Sequence, residues 1–162
     1  MLAQNGTVFS LAEMIGNGRP ILGLDIGSKT IGLAISDRTG MIATPLSTIR
    51  RTKFTEDAQI LVKIIAERDI AALVIGYPLE MSGIAGKRCQ SVRQFARNLA
   101  PFTAVPVIFQ DERLSTQTVE KSMIAADLSR ARRAAIIDQS AATYILQNAL
   151  EGARRMGIVN NE

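Results

Sequence analysis

Residues 70–78, IAALVIGYP, form a strand-length run without a charged side chain, and that run decides what kind of fold is open to the chain. A strand that is apolar at successive positions, and not only at alternate ones, is buried on both faces of its sheet. Each face then needs a cover, and the neighbouring segments supply helices. Residues 55–69, TEDAQILVKIIAERD, place Ala58, Leu61, Val62 and Ile65 at helical spacing with charges opposite. Residues 87–100 repeat the pattern with Cys89, Val92, Ala96 and Leu99. An α/β domain, one sheet flanked by helices, is the simplest packing.

The remaining strands surround this core. ILGLDI and TIGLAIS stand on either side of Gly27-Ser28-Lys29, a hairpin pattern with a short glycine-containing loop. A third strand is expected over about 41–49, and a fifth in VPVIFQDE. Further helices are expected from near Ser115 to Asp127 and from about Ala135 to Gly152. The order gives a five-stranded mixed sheet, three antiparallel strands followed by parallel βαβ strands. Residues 1–20 read as an N-terminal extension with one short helical turn, and 153–162 as a polar C-terminal tail.

Asp25 is the anomaly in this pattern, a carboxylate inside an apolar strand. A charge there costs several kcal/mol unless something pairs with it. The chain has no histidine, which excludes Ser-His-Asp triads, His-ligated zinc and His general bases. Hydrolytic chemistry would then rest on carboxylates with a metal, on lysine or on the thiol. The one cysteine, Cys89, lies in an apolar helical stripe and reads as a core residue; it excludes an internal disulfide.

Two further acids share an address with Asp25. Asp111 and Glu112 close the fifth strand, and alternation lets only one of them face the way Asp25 does. Asp138 precedes an apolar stripe, Ala141, Ala142, Ile145, Leu146 and Ala149, so its helix turns it towards the sheet. Strand one and a parallel strand five end at the same sheet edge. Carboxylates meeting there make an oxygen-rich site for Mg²⁺ or Mn²⁺. Two such ions can activate water and stabilise the leaving oxygen of a phosphodiester.

The blocks GLDIGSKTIGLAISD, VIGYPLEMSGIAGKRCQSVRQFARNL, DERLST and IDQSAATYILQNAL together resemble the YqgF family across residues 21–152. These are RNase H-like proteins known as pre-16S rRNA nucleases or Holliday-junction resolvase homologues. The resemblance implies an RNase H-like nuclease domain over 21–152, divalent-metal catalysis, and maturation of the 5′ end of 16S rRNA. It places the catalytic and metal-binding acids on Asp25, Glu112 and Asp138, with Asp111 beside Glu112, and gives Lys29 a supporting role. The sequence departs from the family pattern at Thr30, Glu80, Ser82 and Ala134-Ala135, positions that concern substrate grip.

Lys87 and Arg88 at a helix start, Arg93 and Arg97 along it, Arg113, and Arg132 and Arg133 before Asp138 are the candidate phosphate contacts. The net charge of +4 is a mild basic bias, compatible with a polyanionic partner. The expected partner is nucleic acid, RNA ahead of DNA, bound by a monomer or homodimer. Junction resolution on DNA, and a non-catalytic ribosome-assembly factor with the same fold, are the rival readings. A phosphate loop of the actin type also looks like LDIGS, but such proteins need two subdomains, and 162 residues leave no room for both. No apolar run reaches the roughly 20 residues of a membrane span, and residues 1–20 lack a signal-peptide pattern. A cytoplasmic protein is expected.

Overall fold

The computed structural model describes residues 2–3, 11–78, 86–111 and 141–155. In chain order these form β1 (Leu2–Ala3), α1 (Leu11–Ile15), β2 (Ile21–Ile26), β3 (Thr30–Ser36), β4 (Ala43–Arg50), α2 (Phe54–Glu67), β5 (Ala72–Tyr77), α3 (Lys87–Leu99), a 3₁₀ turn (Ala100–Phe102), β6 (Val107–Asp111) and α4 (141–155). The strand order in the sheet is β1-β6-β5-β2-β3-β4. Strands β2, β3 and β4 form the antiparallel meander, and β2, β5 and β6 run parallel. The meander, the crossovers and the mixed sheet are those the sequence pattern predicts.

The hairpin between β2 and β3 closes through the Gly27 N–H, which donates to the Thr30 carbonyl at 2.8 Å. A side chain on residue 27 would bring its Cβ to 2.9 Å from that same oxygen, so the turn is built for glycine.

Alternation along each strand sorts the core into two layers. Leu22, Leu24, Leu73, Ile75 and Phe109 pack with Leu61 of α2 and Val92, Phe95 and Leu99 of α3. Ile21, Val74 and Ile108 point the other way, onto Leu11 of α1 and Ile145, Leu146 and Ala149 of α4. All six residues of β5 are buried, as a strand covered on both sides must be. Each Leu, Val or Ile so buried is worth about 1.5–3 kcal/mol.

Two boundaries differ from the sequence expectation. Leu2 and Ala3, expected in an extension, add a sixth strand antiparallel to β6; two residues are too few to show a period. The last helix runs to 155, past Gly152 and into the segment expected as a polar tail. The stripe of Ala149, Leu150 and Ala153 continues at helical spacing, and Ala153 is buried. Arg154 then clamps the helix to the β3–β4 loop by donating to the carbonyls of Gly40 (2.9 Å) and Met41 (3.0 Å).

That loop is organised by Asp37. Its carboxylate accepts the N–H groups of Met41 (2.8 Å) and Ile42 (3.0 Å) and the hydroxyl of Thr39. The bonds from Ile42 and then Thr39 hold its pKa down, from 3.8 to about 2. A depressed carboxylate contributes stability above its unfolded pKa, and that contribution is lost as pH falls through the folded value. Thermal melts between pH 4 and 2 should therefore lose stability more steeply for the wild type than for Asp37→Asn. Equal slopes would mean that the loop bonds carry no stability.

Candidate active site at the carboxyl edge of the sheet

Asp25 is the penultimate residue of β2 and stands at the edge where the parallel strands end. Leu24 and Ile26 face α2 and α3, so alternation turns Asp25 to the α4 side, with Ile21 and Gly23. Its partner on β3 is Gly32. The register Leu24↔Ile75, carried one residue on, brings it level with Gly76 of β5. Neither neighbour sets a side chain beside the carboxylate. Asp25 is half-buried, and among the described residues its carboxylate accepts no hydrogen bond. Burial pushes its pKa above 3.8, against a smaller downward pull from the Arg88 charge. An acid in this setting gains from a cation more than a solvated one does.

Helix α3 begins at the same edge. Gly86 caps it without a side-chain hydrogen bond, and its first turn carries Lys87 and Arg88 and no acid. A positive helix end with two added cations suits an anion. Gly27, Ser28, Arg51, Lys87, Arg88 and Ser91 line a cleft of about 540 Å³ there. The ion pairs among the described residues, Arg19–Asp69 and Lys63–Glu67, lie elsewhere, so no described carboxylate comes within 4.0 Å of the cleft cations.

The expected site residues divide between those placed here and those outside the described residues. Asp25, Lys87 and Arg88 gather at the edge. Asp111 ends β6 opposite Tyr77 and shares the face of Phe109, the α3 side; it does not face the way Asp25 does. Gln110, opposite Gly76, takes the α4 side instead. Lys29 is exposed on the β2–β3 turn, and no ion pair joins it to Asp25. Arg93 and Arg97 lie about 9 and 15 Å down α3 from Lys87, at 1.5 Å per residue, and do not line the cleft. Glu112, Arg113, Arg132, Arg133 and Asp138 lie outside the described residues, as do the loop 79–85 and the helix expected over 115–127.

Arg51, in the basic run Arg50-Arg51-Thr52-Lys53, is not among the residues the sequence pattern singles out. Its guanidinium reaches back 24 residues to the Gly27 carbonyl, a contact without a local signature.

No group of three possible metal ligands occurs among the described residues. Asp25 is the described donor that fits a hard cation: a carboxylate oxygen, desolvated, with no described hydrogen-bond donor competing for it. No described helix is long and apolar enough to cross a membrane.

The family model described as "RuvX: Holliday junction resolvase" matches residues 19–152. A Paramagnetospirillum magneticum protein named "Putative pre-16S rRNA nuclease" is 51% identical over 141 residues, covering 87% of this chain and 91% of its own. A Paracoccus denitrificans protein of the same name is 50% identical over 157 residues, 97% of this chain and 98% of its own. Among solved structures, RuvC of T. thermophilus in complex with a Holliday junction substrate superimposes with a TM-score of 0.54 and 15% identity, over 86% of this chain and 96% of that one. At that identity the likeness is one of fold.

Proposed function

Because this chain belongs to the RuvX family, the one its motifs resemble under the name YqgF, we propose that it is a metal-dependent nuclease that hydrolyses phosphodiester bonds in 5′-end maturation of pre-16S rRNA. The observation that carries the reading is Asp25, a half-buried carboxylate at the end of an apolar strand, between two glycines and beside a basic cleft. Such a position is costly for folding and useful to a cation. The RNase H-like fold and about 50% identity to proteins named as pre-16S rRNA nucleases support the same chemistry.

Asp25 would hold Mg²⁺ or Mn²⁺ with Asp138 and one acid of the Asp111-Glu112 pair. Asp111 faces the α3 side, away from Asp25, and this supports Glu112 as the proposed second acid. A metal held there would supply activation of the attacking water and charge neutralisation on the scissile phosphate. Lys87 and Arg88 would grip the nucleic-acid backbone next to Asp25, and Lys29, Arg93, Arg97, Arg113, Arg132 and Arg133 are the further candidate phosphate contacts. The buried, single Cys89 suits a reducing cytoplasm.

Phosphate contacts release counterions, so each lost contact lowers the salt dependence of binding by about 0.7 on a log–log plot for a single strand. Lys87→Ala and Arg88→Ala should each show that drop in anisotropy titrations over a salt series. Slopes equal to the wild type would place the nucleic acid elsewhere.

The function is tested by incubating labelled pre-16S-like RNA, a four-way DNA junction and a plain single strand with Mg²⁺, Mn²⁺ or EDTA. Metal-dependent cutting of the RNA supports the processing nuclease. Junction-selective cutting moves the chain to DNA recombination, in line with the name of the family model. Binding without cutting of any substrate overturns the nuclease reading in favour of an assembly factor.

A further inference from the structure

We propose that Arg51 is a phosphate-binding residue of the cleft, holding a backbone phosphate next to the one cleaved; the proposal rests on the nucleic-acid reading above. Arg51 follows β4 directly and is tied to the β2–β3 turn at two points. Its N–H donates to the Lys29 carbonyl at 2.9 Å, and Nη1 donates to the Gly27 carbonyl at 2.6 Å. The guanidinium carbon also lies 5.6 Å from the centre of the Phe95 ring of α3. The next residue is anchored as well, because the Thr52 N–H donates to the buried Asp57 carboxylate at 3.2 Å. This arginine is therefore fixed before any ligand arrives, which removes much of the ordering cost of binding.

What it has left over is suited to a phosphate. A guanidinium carries five N–H donors in a planar fork, and a described acceptor takes one of them. No described carboxylate lies within 4.0 Å of it. It is half-buried on the wall that Lys87 and Arg88 complete. Three cations line one cleft, and the one held rigid is forked, which matches a phosphodiester oxygen pair better than a point charge would.

The sheet separates this phosphate from the one cut. Asp25 faces α4, whereas the cleft is bounded by the first turns of α3 and opens on that side. Ile26 and Gly27, the two residues after Asp25, line the cleft, so one strand of nucleic acid can pass both positions. Arg51 sets where the strand lies relative to Asp25.

The test is binding of a labelled single-stranded RNA oligonucleotide in EDTA over a salt series, by wild type, Arg51→Gln and Arg51→Lys, with melts of each. Arg51→Gln should lower the log–log salt slope by about 0.7 and weaken binding about tenfold at low salt. Arg51→Lys should keep the slope and bind several-fold more weakly, since an ammonium cannot reproduce the fork. An unchanged slope in Arg51→Gln, whatever its melting temperature, overturns the proposal and reduces Arg51 to a clamp on the turn. If the variants fail to fold, the Arg51 Nε–H resonance of the wild type decides: it shifts on RNA titration if the proposal holds and stays fixed if it does not. A wild type that binds and shows these changes yet never cleaves supports Arg51 and removes the nuclease reading alone. A wild type that binds no nucleic acid overturns both.

Discussion

Asp25→Asn should lose metal-dependent cleavage and gain, or at least keep, thermal stability. The two effects have one origin. Burial raises the pKa of Asp25 above 3.8, so the folded protein disfavours the ionised form that prevails at neutral pH. The sign follows from linkage: a raised carboxylate pKa is a penalty on folding at neutral pH, relieved as pH falls through the folded value. Asparagine removes the penalty and keeps the shape. Its melting temperature at pH 7 should equal or exceed that of the wild type, and the difference should shrink on acidification. Cleavage should fall by more than the 10–100-fold, roughly, that loss of an outer-shell partner costs a metal site. A variant that melts lower than the wild type and still cleaves would make Asp25 a structural residue.

Gly23→Ala should be strongly destabilising. Gly23 lies two residues before Asp25, under α4. A Cβ there would stand 2.8 Å from the Leu146 Cβ and 3.2 Å from the Ala142 carbonyl oxygen. Neither atom is the end of a flexible side chain, so the helix itself must move. Overpacking of this kind costs about 1–3 kcal/mol. In a domain of this size that is a fall in melting temperature of roughly 2–4 °C per kcal/mol. Activity should fall further than stability explains, because Gly23 and Asp25 share one face of β2 and the crowding falls beside the proposed metal ligand. The check is cleavage measured well below the melting point of the variant. Full activity there would show that the α4 position does not matter to the chemistry.

The layers of this fold are legible from periodicity. The run at 70–78 demanded burial on both faces, and β5 has it. The stripe Cys89, Val92, Ala96 and Leu99 is wholly buried, and so are Ala142, Ile145, Leu146 and Ala149 of α4. These signals are local, and hydrophobic period reports them. The choice between Asp111 and Glu112 is of another kind. Alternation says only that they face opposite ways; the pairing of Gly76 with Gln110 and of Tyr77 with Asp111 decides which face Asp111 takes. Arg51 was hidden for a similar reason, since its meaning depends on a carbonyl far back along the chain. Lys29 sits on the expected turn, but a turn position does not fix where a long side chain points.

The claim on which the function depends is that Asp25 holds a divalent cation. Calorimetric titration of Mn²⁺ into wild type and Asp25→Asn, with melts at each metal concentration, measures it most directly. Saturable binding and a rising melting temperature in the wild type, both absent from the variant, are the expected result. Equal binding and equal stabilisation in the two proteins would contradict it, and the carboxylate at the edge of β2 would need another explanation.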